Sequence, residues 1–145
     1  MGHVQVQARI PGRSADAVFA ILSDLEQYAT GAESVRSISV SQQDGMQVSA
    51  WEVDFHGGIM RWREQDVLLP SEHAIRFQQL DGDMDSFSGE WRLSEDGVDC
   101  LVAFRADFEL GIPGLKLILE PIAASALRQN IQGILSGLLG ATDFA

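Results

Sequence analysis

The stretch from Leu115 to Leu139 limits what this chain can become more than any other. Leu115, Leu119, Ile122, Ala126, Ile131, Ile134, Leu135 and Leu138 recur at three- and four-residue spacing, the period of one helical face. Pro113 and Gly114 stand just before it and Gly140 just after, in the places of start and stop signals. Such a helix is roughly 35 Å long, about the diameter of a small domain. Pro121 predicts a kink over residues 117–121, or a restart with proline in the first turn. A helix of this length must lie on a broad apolar surface. Because nearly everything upstream reads as strand, that surface is expected to be one curved sheet.

The upstream pattern supports this. From Val4 to Ile10, Val4, Val6, Ala8 and Ile10 alternate with His3, Gln5, Gln7 and Arg9, as in a half-buried strand. Pro11-Gly12 ends it, Ser14 is the expected N-cap, and Val18, Ile21, Leu22 and Leu25 share one face of a helix of about ten residues. Tyr28 to Glu33 reads as a connection or a second short helix. Strands are then expected over Val35 to Val40, Met46 to Phe55, Ile59 to Leu69, Ala74 to Leu80 and Met84 to Leu93. Asp44-Gly45, His56-Gly57-Gly58, Pro70 to Glu72 and Asp81-Gly82-Asp83 are the turns between them. A seventh strand sets Cys100, Val102, Phe104, Ala106 and Phe108 against Ala103, Arg105, Asp107 and Glu109. Short links between successive strands predict an antiparallel meander: an α+β fold in which the long C-terminal helix crosses a seven-stranded sheet. No linker or repeat interrupts residues 1–145, which read as a single domain.

Composition narrows the function. A formal net charge of −11 disfavours a nucleic-acid partner, which needs clustered Lys and Arg, and disfavours docking on an anionic membrane. A single cysteine, Cys100, allows no internal disulfide and reads as a small core residue. The three histidines, His3, His56 and His73, have no paired spacing, so no metal site is expected. No Gly-rich phosphate loop or nucleophile elbow is present, and no cofactor is expected. With neither a signal-like N-terminus nor a run of about eighteen apolar residues, the expected location is the cytoplasm.

The order of elements resembles the Bet v 1/START-like (SRPBCC, helix-grip) superfamily, and within it the polyketide cyclase/dehydrase (aromatase/cyclase) and coenzyme Q-binding branch. The residues that carry the resemblance are Ala17-Val18-Phe19 through Leu22-Ser23-Asp24-Leu25-Glu26-Gln27-Tyr28, and Gly58-Ile59-Met60-Arg61-Trp62-Arg63-Glu64. Phe87-Ser88-Gly89-Glu90-Trp91 and the run from Phe108 through Pro113 add to it. It implies a strongly bent sheet gripping the long helix around a deep apolar cavity that holds a lipid, a quinone or a reactive polyketide. The chain departs from this pattern in two places. Tyr28-Ala29 replaces an aromatic-Pro pair, and Glu64 and Asp66 align where aromatase/cyclases carry a cavity Ser and then an Arg.

In the fourth strand Met60, Trp62, Glu64, Asp66 and Leu68 share one face, with Arg61, Arg63 and Gln65 on the other. If the arginines face solvent and no bulge intervenes, Glu64 and Asp66 point into the cavity, where burial and mutual repulsion suit them to proton transfer. These are the candidate catalytic residues. The alternative is that the strand twists outward and Asp66 sits at a wet rim beside an arginine. Tyr28, Trp51, Trp62, Phe77, Gln79, Phe87, Trp91 and Asn130 are the candidate substrate-binding residues, although aromatics spread over several strands are commonly core. Gly89, between Phe87 and Trp91, fits a sharp bend or a close approach of ligand.

The expected function is a cofactor-independent cyclase, with or without dehydration, acting on a polyketide-like or polycarbonyl intermediate that an acyl carrier protein could deliver. The alternative is a non-catalytic carrier of a quinone, lipid or similar hydrophobic molecule. The apolar tail from Leu138 to Ala145 could pack on a second subunit as a homodimer contact.

Overall fold

The computed structural model describes residues 1–55, 58–111, 114 and 116–145. The turn expected at His56-Gly57, the start signal at Pro113 and Leu115, where the helix was expected to begin, lie outside the described residues. The chain forms β1 (Gly2–Ile10), α1 (Ala15–Ser23), α2 (Tyr28–Gly31), β2 (Val35–Gln43), β3 (Met46–Phe55), β4 (Gly58–Leu69), β5 (Ala74–Gly82), β6 (Ser86–Asp96), β7 (Asp99–Glu109), α3 (Lys116–Leu139) and β8 (Asp143–Phe144). Short 3-10 turns at Leu25–Gln27 and Pro70–Glu72 complete the order.

The strands make one antiparallel sheet in the order β2-β3-β4-β5-β6-β7-β1-β8, so each hairpin neighbour in sequence from β2 to β7 is a neighbour in space. The sheet has eight strands where seven were expected. The extra one is the C-terminal tail, which pairs Phe144 with Ala8 and Asp143 with Arg9 and donates the Ala145 amide to the Gln7 carbonyl. A two-residue strand has no periodicity to read. The tail covers the β1 edge of its own sheet.

Alternation decides the two faces of the sheet. Inward, Val4 meets Ala106, Val6 meets Phe104, Ala8 meets Val102 and Ile10 meets Cys100 across the β1–β7 ladder, all of them buried. Outward, arginines pair with carboxylates: Arg36 with Asp54, Arg61 with Glu52 and Arg63 with Asp81. On the same face Glu90 is ringed by Arg76, Arg92 and Arg105 at 3.6, 3.5 and 3.1 Å, and against the push of burial Arg105 and Arg92 hold its carboxyl below the usual range. The arginines of β4 are thus on solvent.

Ser14 caps α1, its Oγ accepting the Ala17 amide at 3.1 Å, and Ala15, Val18 and Leu22 turn inward. α3 runs unbroken through Pro121 and does not restart there. Among the described residues the buried stripe of α3 is Ala123, Leu127, Asn130, Ile131, Ile134, Leu135 and Leu139. Ile122, Ala126 and Leu138, expected on that face, are only half-buried. Apolar residues surround much of this helix, so spacing alone does not select which stripe meets the sheet. Near its end, a Cβ on Gly137 would overlap the carbonyl oxygen of Gly31, so the α2 and α3 backbones meet through glycines.

Among the described residues no helix is long and apolar enough to cross a membrane.

Candidate functional site

The space between the concave face of the sheet and α3 is enclosed by Leu25 and Tyr28 above, by β2 to β7 around the sides, and by Leu127, Asn130, Ile131 and Ile134 of α3. Its volume is about 40 Å³. That is room for roughly one to three water molecules, far below the roughly 300–1,000 Å³ of a pocket for a drug-sized ligand. The space is thus smaller than the resemblance implies, because its own side chains fill it.

Seven of those side chains are aromatic, and they touch in a closed circuit. Tyr28 meets Trp51 edge-on at 5.7 Å, Trp51 stacks on Trp62 at 5.3 Å and 13°, and Trp62 meets Phe87 at 5.4 Å. Phe87 leans on Phe77 at 5.2 Å, Phe77 stacks on Phe104 at 5.7 Å, Phe104 meets Trp91 at 4.7 Å, and Trp91 returns to Tyr28 at 6.2 Å. Ring pairs of this kind contribute about 0.5–1.5 kcal/mol each beyond area burial, so the circuit is a cohesive wall. Strand register builds it: Trp51 lies opposite Trp62, Trp91 opposite Phe104, and Phe77 opposite Gly89. A Cβ on Gly89 would collide with the Arg105 carbonyl oxygen and with Phe77. The glycine is there because β7 backbone and a ring already occupy the place of its side chain.

Two carboxyl groups stand in this wall. Glu64 and Asp66 are 3% and 4% exposed, and both line the cavity. The β4–β5 ladder does contain a bulge, but the extra residue is Leu80 on β5, so β4 keeps its alternation and both carboxyls keep the inner face. Trp62 Nε1 donates to Glu64 Oε1 at 2.7 Å. Ser49 Oγ donates to Asp66 Oδ2 at 2.5 Å and accepts Trp51 Nε1 at 2.9 Å. Burial pushes the Glu64 carboxyl well above its ordinary range. Its hydrogen bond to Asp66 and the charge there push the same way, against the Trp62 donor. Glu64 is thus biased toward its neutral form beside Asp66, and the two carboxyls form a dyad. No Lys, Arg or His is among the described residues that line the cavity.

The other candidates divide. Tyr28, Trp51, Trp62, Phe77, Phe87, Trp91 and Asn130 all line the cavity. Gln79 does not. Leu80 is bulged immediately after it, and the Gln79 amide donates instead to the Met84 carbonyl at 2.8 Å, closing the β5–β6 turn. The Tyr28 hydroxyl donates to the Leu22 carbonyl at 2.5 Å, and burial pushes its phenol well up, so it presents a ring and not an acid to the cavity. Tyr28→Phe should therefore lower stability by about 1–2 kcal/mol through the stranded carbonyl, with ligand affinity unchanged. Urea denaturation with unaltered m, run beside a ligand titration, checks both parts.

Ser49 was not foreseen. It is fully buried and sits opposite Glu64. Its only sequence signal is a two-residue step from Trp51 and then Val53, a position that reads equally well as surface. Cys100 is buried, as a core residue would be. His3 pairs with Asp107 and His73 with Asp16, both at 2.5 Å on the surface, while His56 lies outside the described residues. No group of His, Cys, Asp and Glu suited to a metal occurs among the described residues.

This arrangement of a bent antiparallel sheet closed over a C-terminal helix has known counterparts, and the sequence decides the matter. Residues 11–135 match the family described as polyketide cyclase / dehydrase and lipid transport. The chain belongs to that family. Among solved structures it is similar to TTHA0849 of Thermus thermophilus, with 26% identity, TM-score 0.85, and 94% of this chain and 93% of that one covered. It is also similar to the Zhui aromatase/cyclase of Streptomyces sp. R1128, with 23% identity, TM-score 0.81, and 95% and 91% covered. A START superfamily protein of Mycobacterium smegmatis shares 16% identity at TM-score 0.79, with 96% and 97% covered. The last two likenesses are of fold. No curated protein matches the chain in sequence. As a member of this family the chain has the helix-grip fold, with an apolar cavity between sheet and helix, and the family binds hydrophobic small molecules.

Proposed function

We propose that the chain is a cofactor-independent cyclase that closes a ring in a polycarbonyl intermediate, using the Glu64–Asp66 dyad for proton transfer. The observation that carries this reading is the dyad itself. Two buried carboxyl groups in an aromatic wall, without a cationic partner among the residues around them, are expensive to keep for packing alone. A buried carboxyl pushed well above its ordinary range, beside a second carboxyl, suits acid–base work.

In the reaction Asp66 removes a proton from a carbon between two carbonyls, with Ser49 holding its carboxylate in place. The resulting enol carbon attacks a second carbonyl of the same chain, and Glu64 gives its proton to the alkoxide that forms. Where dehydration follows, Asp66 first passes the proton it took to Glu64; Asp66 then removes the second proton of the same carbon while Glu64 protonates the departing hydroxyl, which leaves as water. The rings fix the folded substrate so that the two carbons meet, and orientation supplies much of the acceleration. Because the cavity is nearly filled, a substrate enters by spreading this wall.

A carrier of a hydrophobic molecule is the second reading, favoured by the continuous aromatic circuit, which needs no carboxyl to hold a guest. The test is a product profile. A poly-β-ketone thioester is incubated alone, with the protein, and with Asp66→Asn, then resolved by chromatography and mass spectrometry. The expected result is a cyclised product absent from the protein-free control and reduced about 10²-fold or more in the folded variant. A profile equal to the control, with substrate still bound, leaves the carrier.

A further inference from the structure

The cavity holds two buried polar atoms for which no hydrogen-bond partner exists among the described residues, Asp66 Oδ1 and Asn130 Nδ2. Asn130 is 6% exposed and comes from α3, while Asp66 comes from β4 on the opposite wall, so the two face one space of about 40 Å³. One atom accepts and the other donates. Even with the Glu64 proton shared onto it, a carboxylate oxygen has a second lone pair. Carboxylate charge without a neighbouring cation repels an anion in a setting of low dielectric. Everything else around that space is ring or aliphatic carbon, apart from the Glu64 carboxyl already held by Trp62.

We propose that the ligand of this cavity is a neutral, planar, hydroxyl-bearing molecule, a phenol or enol whose single oxygen donates to Asp66 Oδ1 and accepts from Asn130 Nδ2, and that carboxylates are excluded. A hydroxyl satisfies both orphan atoms at once. A carbonyl oxygen, as in a quinone, satisfies Asn130 alone and leaves Asp66 buried without its partner. A carboxylate meets the dyad with like charge. The specificity-determining pair is thus Asp66 and Asn130, with the aromatic circuit supplying affinity indifferent to polarity. This deepens the cyclase reading, since enolic substrate and phenolic product share the group. It remains testable apart from that reading because it concerns binding alone.

The experiment is a calorimetric titration of the whole chain with three probes of one shape: 2-naphthol, naphthalene and 2-naphthoate. 2-Naphthol is expected to bind about tenfold tighter than naphthalene, the worth of a charge-assisted hydrogen bond, and 2-naphthoate not measurably. In Asn130→Leu the naphthol advantage should fall to about threefold or less while naphthalene binding persists. Asp66→Asn should reduce the same advantage and also admit naphthoate. Equal affinity for naphthol and naphthoate, no binding of any probe, or a naphthol advantage untouched in Asn130→Leu would each overturn the proposal. Thermal melting of both variants shows that they are folded, and Asn130→Leu, a change on one helix face, decides the matter if Asp66→Asn is not. Loss of cyclisation with this selectivity intact would sink the catalytic reading and leave the ligand class standing.

Discussion

Glu64→Gln is expected to make the protein more stable and, under the proposed mechanism, nearly inactive. The glutamine side chain has the shape of the acid it replaces. Its oxygen can accept the Trp62 indole N–H and its amide can donate to Asp66, so both contacts of the protonated acid survive. What disappears is the burden of ionisation. Burial and Asp66 raise the folded-state Glu64 above its ordinary value of 4.5, so between that value and its folded one the native state binds more protons than the unfolded chain. Stability attributable to Glu64 is therefore fully present below about pH 4.5 and falls as pH rises toward the folded value. The glutamine variant lacks that decline. The two proteins should melt together at low pH and separate upward through neutrality, the variant gaining roughly 3–6 °C, about 1–2 kcal/mol. Turnover should fall by about 10²–10⁴-fold, because an amide cannot give up the proton. A series of melting curves across pH 4 to 8 checks the first claim. Parallel curves would mean that Glu64 is already ionised in the native state.

Gly89→Ala should be the most damaging single-methyl change on the sheet. The added carbon meets the Arg105 carbonyl oxygen, the Ala106 Cα and the Phe77 ring, and two of those are backbone of a strand paired on both sides. Neither β6 nor β7 can step aside without breaking its ladder. A loss of about 2–4 kcal/mol follows, a fall in Tm of roughly 10 °C. The aromatic circuit should loosen with it, since Phe77 is held against Gly89 by register. Thermal unfolding measures the first effect, and ring-proton line shapes of Phe77 measure the second. A Tm within 2 °C of the wild type would show that β6 bends away from β7 at this glycine.

Much of this was legible beforehand, for a plain reason. β1, β4 and β7 have one dry and one wet face, and a period of two cannot be mistaken when Val4, Val6, Ala8 and Ile10 alternate with polar residues. The facing of Glu64 and Asp66 rested on that same alternation in β4, together with a condition on bulges that sequence cannot check. It holds only because the inserted residue, Leu80, lies on the partner strand. Gln79 keeps its phase with Phe77 and lies opposite Glu64, but its amide is tied to the Met84 carbonyl at the β5–β6 turn, a contact that spacing does not reveal. The buried stripe of α3 was harder, because Ile122 and Ala126 are as apolar as Ala123 and Leu127 and only the curvature of the sheet decides between them. Ser49 was illegible for the opposite reason: a serine is ordinary on a surface, and only its two partners, one on its own strand and one across the hairpin, reveal what it does.

The chain contains three tryptophans and one tyrosine, and all four stand in the cavity wall. Every chromophore absorbing near 280 nm is therefore part of the site. Intrinsic fluorescence has no bystander signal to dilute it, and the stacked Trp51 and Trp62 indoles are close enough to couple in near-ultraviolet circular dichroism. A guest that parts them changes the whole optical signature of the protein, so occupancy can be followed without a label, in the wild type, at the timescale of mixing.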